Sequence, residues 1–303
     1  MLTSRGTFLR PEEYAGPGPL WSLGREGAVA AEVLRGERHR RSQRRTLRGL
    51  AWARVGRVVV NEPVLLVPGF MAGDWSLVRL AEHLRGEGWR TYRSAIRVNA
   101  GCTMSTAEAL ERRLEQIAER RQAKVSIVGH SLGGMLGRGL AARRPDLVAG
   151  LVTMGSPVLA PGAVNQLLGL NAAALTGLHR LGLRSVMGAD CVSGDCARES
   201  WERSHAPLDP AIGFTAIWSR RDGVVDWRSC LDPAAEHVEA RCSHLGMAVD
   251  PLVRDQVAHA LAEQRLTRAA HAGAEREPDA RLSPASPPAG RPVEAGLRHA
   301  ASR

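Results

Sequence analysis

One stretch constrains this chain more than any other: a run of strand residues that ends in G-H-S-L-G-G. Val125-Ser126-Ile127-Val128 is nearly continuous apolar sequence and leads directly into Gly129-His130-Ser131-Leu132-Gly133-Gly134. The spacing is G-x-S-x-G, which sets a serine on a tight strand-to-helix turn with its hydroxyl raised above the sheet edge. Gly129 and Gly133 stand two positions either side, where a Cβ would collide with neighbouring backbone. Residues 132–144 read as a helix whose first amides have no intrahelical partner and can face a developing negative charge.

The flanking chain repeats the same strand-to-helix grammar. Pro63 to Val67 is a buried-strand signal closed by Pro68-Gly69-Phe70. Asp74 is expected to cap a helix that packs through Leu77, Leu80 and Leu84. Trp89 to Ile96 reads as a more polar strand, and Ser105 with Glu108 has capping-box spacing for a helix to about Arg121. Val148 to Met154 is another buried strand. Strands and helices alternating at this spacing predict an α/β fold, a mostly parallel sheet with helices on both faces. The regularity lapses over 158–210, where helical patches at 163–170 and 175–181 predict a cap, and resumes with strands at 213–219 and 236–241. A helix follows over 251–262. The expected organisation is an N-terminal extension (1–57), a first core part (58–157), the cap (158–210), a second core part (211–266) and a disordered tail (267–303). The extension is expected to carry an amphipathic helix over 20–34, anchored by Leu23, Val29, Val33 and Leu34.

A serine hydroxyl is a poor nucleophile until a base takes its proton, and the base needs an acid to hold its tautomer. Asp222 falls on the turn after the strand at 213–219, and His244 follows the last strand, so both loops open at the same sheet edge as Ser131. Asp226 is the alternative acid, with loop orientation as its other role. Oxyanion donors are expected at the backbone N–H of Leu132 and of Phe70, with Met71 the alternative. Phe70, Met71 and Trp75 are expected to form an apolar substrate-binding wall.

These residues resemble the α/β-hydrolase family over about 58–265. The likeness rests on V-L-L-V-P-G-F, V-S-I-V-G-H-S-L-G-G-M-L, T-M-G-S-P, W-S-R-R-D-G-V-V-D-W and S-H-L-G-M, and is greatest to lipase and esterase members, including microbial triacylglycerol-lipase-like and PGAP1-like hydrolases. The resemblance implies ester cleavage through an acyl-serine, with Ser131 as nucleophile, Asp222 as acid, His244 as base, Phe70 and Leu132 as oxyanion donors, and no cofactor. The P-G-F turn stands where the commoner family loop begins H-G, and the cap and basic extension match nothing in the pattern. An acyltransferase or a thioester or amide hydrolase would use the same triad; a non-catalytic binding protein on this fold is the alternative of another class.

Composition sets the remaining expectations. Of 41 basic residues Lys124 alone is lysine, and the formal charge is +10. With abundant Ala, Gly and Pro this skew reads as nucleotide bias, and no nucleic-acid recognition motif accompanies it, so no nucleic-acid partner is expected. The partner expected is a small-molecule or lipid ester. The run from Arg35 to Arg48 is a solvated face, or else a peripheral contact for an anionic membrane. No apolar window of about 20 residues and no secretory core is seen, which points to a cytoplasmic location. The cysteines at 102, 191, 196, 230 and 242 include no C-x-x-C pair and no zinc spacing, so no metal is expected. Cys191 with Cys196, and Cys230 with Cys242, remain open as disulfide pairs.

Overall fold

Pro63–Val67 has no polar residue to turn toward water, so this strand, β1, needs cover on both faces. All five of its residues are buried. It sits inside a six-stranded sheet with β2 (Arg90–Arg93), β3 (Val125–His130), β4 (Val148–Met154), β5 (Gly213–Trp218) and β6 (Glu236–Glu239). The computed structural model describes residues 8–14, 16–17, 20–36, 38 and 61–275. The strand order is β2-β1-β3-β4-β5-β6 and every pairing is parallel.

Alternation along the strands divides the core. Val64 and Leu66 face α2 (Val78–Gly86) and α8 (Pro251–Glu275), whose Leu80, Leu84, Val253, Val257 and Leu261 recur at helical spacing. Leu65 and Val67 face the other way, onto Leu110, Leu114 and Ile117 of α3 (Thr103–Arg121) and Leu136 and Leu140 of α4 (Leu132–Arg143). Full burial of such a side chain contributes about 1.5–3 kcal/mol. A one-residue slip would exchange the two faces, so packing fixes the register. The chain leaves β1 toward β2 and returns to β3 on the opposite side of β1. That reversal opens a crevice at the carboxyl ends of β1 and β3, the usual ligand position in sheets of this kind.

Three local expectations are corrected. Asp74 caps nothing; its carboxylate accepts from the N–H and Oγ–H of Ser94 and the N–H of Ala95, pinning the loop after β2. Helix α3 begins at Thr103, ahead of Ser105, and Cys102 is its uncapped first flank. The C-terminal helix continues to Glu275, beyond the boundary at 267, because Gln264 and Arg268 still reach the sheet, bonding the carbonyls of Leu151 and Ala149. Residues 276–303 lie outside the described residues.

The cap holds α5 (Gln166–Arg180), α6 (Ala189–Ser193) and α7 (Asp195–His205). The two patches expected at 163–170 and 175–181 are one helix, started by Asn165, whose side chain accepts from Leu167 N–H. Buried Arg138 of α4 ties the cap's exit to the core by binding Asp232 and the carbonyls of Ser204 and Ala206.

The extension differs most from expectation. Leu20–Ala28 is a 3-10 helix continued by a helix over 29–36, α1. Val33 and Leu34, expected as inward anchors, are exposed, whereas Ser22 and Glu32 are buried. The inward face is polar because it bonds backbone rather than a hydrophobic core. Arg35 pairs with buried Asp250 at 3.1 Å. The rest of the arginine run from residue 39 lies outside the described residues, and with it most of the surface expected to contact a membrane.

Candidate active site

Ser131 joins β3 to α4 at φ 54°, ψ −124°, a conformation that non-glycine residues occupy at a cost of about 1–3 kcal/mol. The two flanking glycines make the turn possible: a Cβ on Gly129 would strike the backbone of Gly133 and Gly134, and one on Gly133 would strike the Val67 carbonyl. The serine is buried in the crevice floor and its N–H donates to the Met154 carbonyl at 2.8 Å.

Asp222 and His244 meet as a buried pair, with the Nδ1–H of His244 donating to Asp222 Oδ2 at 2.6 Å. The other carboxylate oxygen accepts from Val224 N–H at 2.8 Å and Val225 N–H at 2.7 Å. Burial disfavours protonated His244, but the charge and hydrogen bond of Asp222, helped by Glu26, outweigh it, and the pKa is raised above the ordinary histidine value. Asp226 is not in this pair. Its carboxylate accepts from Arg228 N–H at 3.1 Å and starts the turn Trp227–Cys230, while its own N–H donates to the Ala163 carbonyl.

His130, beside the serine, is a structural neighbour of this pair. Its Nε2–H donates to the His244 carbonyl at 3.0 Å, and the two rings lie 4.8 Å apart. Burial, then the charge of His244, pushes its pKa down to about 3 despite that bond, so it stays neutral. Among the described residues no hydrogen bond links Ser131 to His244; such contacts commonly tighten only with substrate in place.

The amides expected to face an oxyanion differ in their hydrogen bonding. Met71 N–H is already committed to the Asn99 carbonyl at 3.0 Å. Among the described residues neither Phe70 N–H nor Leu132 N–H has a partner. Buried Asn99, which sequence reasoning missed, also donates from Nδ2 to the Pro68 carbonyl at 2.9 Å and so holds the turn from both ends.

A cavity of about 360 Å³ rises from Ser131 and Leu132 into the cap, bounded by Phe70, Leu168, Ala172, Met187 and Trp201. Of the expected apolar wall only Phe70 lines it. Met71, at φ 58°, and Trp75, on the outer side of a 3-10 turn, are 46% and 69% exposed and face solvent instead.

Two further carboxylates were missed. Glu26 Oε1 accepts from Gly223 N–H and His244 N–H, both at 3.0 Å, and Oε2 from Leu245 N–H at 2.9 Å. Glu32 accepts from the N–H and Oγ–H of Ser243, each at 2.8 Å. One segment thus braces the loops that carry Asp222 and His244. The available signal was that these are the only acidic residues between Tyr14 and Gly36.

The family described as alpha/beta hydrolase fold matches residues 62–177. No curated protein matches the chain by sequence. Among solved structures, the mature form of the Bacillus licheniformis lipase BlEst2 is similar at 15% identity and a TM-score of 0.52, over 66% of this chain and 91% of that one. Its propeptide form is similar at 16% and 0.50, over 63% and 48%. A Paleococcus ferrophilus monoacylglycerol lipase gives 18% and 0.49, over 68% and 94%. The strand order agrees with the family match, so residues 62–177 are assigned to an alpha/beta hydrolase domain.

Proposed function

We propose that this protein is a serine hydrolase that cleaves carboxylic esters bearing an apolar group, through an acyl-serine intermediate on Ser131. The observation that carries the reading is the buried His244–Asp222 hydrogen bond beside a serine held at positive φ on the floor of an apolar cavity. Ser131 Oγ attacks the ester carbonyl as His244 Nε2 takes its proton. The oxyanion is held by the N–H groups of Phe70 and Leu132, whose preorganisation needs no rearrangement at the moment of reaction. Protonated His244 then gives its proton to the leaving alcohol, and a water activated by the same ring releases the acid. The lipases that share the fold suggest which esters to try first.

The test is turnover of p-nitrophenyl esters from acetate to palmitate together with labelling by a fluorophosphonate, run beside Ser131→Ala. Serine-dependent turnover and labelling are expected; absence of both from the folded protein would overturn the reading. Labelling without ester turnover would favour transfer to an acceptor other than water.

His244 must be neutral to act as base, and its pKa is raised, so activity falls on acidification at a higher pH than an ordinary histidine would give. The acid limb of kcat/KM is expected to have its midpoint above 6.5, the unperturbed value. A midpoint below that would mean that Asp222 does not govern the base.

Glu26 acts as a positioning residue. Glutamine in its place offers one acceptor and presents an NH₂ group to backbone donors, so Glu26→Gln is expected to lose about 1.5–3 kcal/mol of stability in the denaturant midpoint. It should lower kcat about tenfold with KM little changed and move the acid limb down, since one carboxylate near His244 is gone. A loss of stability with kcat and pH profile intact would leave Glu26 a purely structural brace.

A further inference from the structure

Cys102, Cys191 and Cys196 come from distant parts of the chain and meet where the cap joins the core. Cys102 precedes α3, Cys191 lies in α6 and Cys196 in the first turn of α7. Their three sulfurs all lie within 4.8 Å of one another, and Cys102 Sγ is 3.4 Å from Cys196 Sγ. Thiolates around one tetrahedral ion, each at about 2.3 Å from it, stand roughly 3.8 Å apart. The triangle therefore has the right size for a single shared cation.

Backbone interactions hold the three positions independently of the sulfurs. The Asp190 carboxylate accepts from Asp195 N–H at 2.8 Å and Cys196 N–H at 3.3 Å, folding α6 against the start of α7. The Cys102 carbonyl accepts from the N–H and Oγ–H of Thr106. Met187 N–H donates to the Ala100 carbonyl at 2.8 Å, tying the approach to α6 to the approach to Cys102. Two helix starts, those of α3 and α7, converge here. All five cysteines are free, so neither disulfide left open by the sequence is formed.

We propose that Cys102, Cys191 and Cys196 form a binding site for one thiophilic divalent cation of the zinc class, with a fourth position open to solvent. No oxidation is involved: as each sulfur binds, its proton passes to solvent and a metal–sulfur bond forms. The ion would clamp α6 and α7 to the start of α3, and because Cys191 also lines the cavity, it would fix the wall beside the substrate. The zinc spacing sought in the sequence was absent because one ligand comes from 89 positions before the next.

The full chain, reduced and stripped of metal, is titrated anaerobically with Zn²⁺ against a chromophoric chelator and separately with Co²⁺. One equivalent of each is expected, with an intense near-ultraviolet sulfur-to-cobalt band. Zn²⁺ should also shield these three thiols of the wild-type chain from alkylation mapped by mass spectrometry, a readout that needs no variant to fold. Cys102→Ser, Cys191→Ser and Cys196→Ser should each weaken Zn²⁺ binding by at least about tenfold. Substoichiometric binding, a cobalt spectrum without sulfur character, or thiols alkylated equally with and without Zn²⁺ would overturn the proposal. So would a disulfide among the three in protein isolated without reductant that binds no metal once reduced; that result would assign a redox cross-link instead. None of these readouts uses ester turnover, so either reading can fail without the other.

Discussion

Replacing Ser131 with alanine is expected to lower kcat by about 10⁶-fold, and adding His244→Ala to that variant should cost almost nothing more. The two side chains act as one device, since the ring has no proton to take once the hydroxyl is gone. What survives is the contribution of the Phe70 and Leu132 amides and the apolar cavity, roughly 10³–10⁴-fold over water. Circular dichroism should be unchanged, because the bonds that hold the turn are made by backbone, including Ser131 N–H to the Met154 carbonyl. The measurement is kcat on the best p-nitrophenyl ester, with fluorophosphonate titration of the wild type to fix the active fraction. Additive losses in the double variant would mean that Ser131 and His244 serve different steps.

Asp222→Asn is expected to lower kcat by about 10⁴-fold, whereas Asp226→Asn should stay within roughly tenfold of wild type. Asparagine at 222 can turn an NH₂ toward Nδ1 of His244, which selects the wrong tautomer and removes the charge that stabilises the imidazolium. The backbone donors Val224 and Val225, which bind the other carboxylate oxygen, would still hold the amide in place, so the loss is chemical rather than conformational. Asp226 works differently: it starts the turn Trp227–Cys230 and bonds the entry of the cap at Ala163. Its variant should therefore melt at lower temperature while keeping the shape of its pH profile. Equal kinetic losses would reassign the acid.

What could be read from the sequence follows a physical boundary. The serine turn, the buried strands β1, β3 and β4, and the two loops holding Asp222 and His244 all carry local signals: apolar runs, glycines at clash positions, a charged residue just past a strand. The caps at Asp74 and Ser105 had local signals too, but Asp74 is captured by Ser94 and Ala95, and Ser105 lies inside a helix that already begins at Thr103. Met71 and Trp75 are expected in the substrate wall on apolarity alone, but Met71 sits at positive φ and Trp75 on a 3-10 turn, and both are exposed. Glu26, Glu32, Asn99 and the three-cysteine cluster had no spacing rule to announce them. Their partners lie far along the chain, and only the folded sheet edge brings them together.

The brace made by Glu26 and Glu32 has a temporal consequence. Its bonds span 197 to 219 positions of sequence, from Glu26 to Gly223, His244 and Leu245 and from Glu32 to Ser243. During synthesis from the N-terminus, the serine turn and its helix can form while the loops that complete the site are still untranslated. The segment made among the first must wait for partners made near the last, and such distant closure is slow. A half-made chain would thus carry an inert serine, and hydrolytic competence would switch on late, as the final loops lock onto a waiting strap.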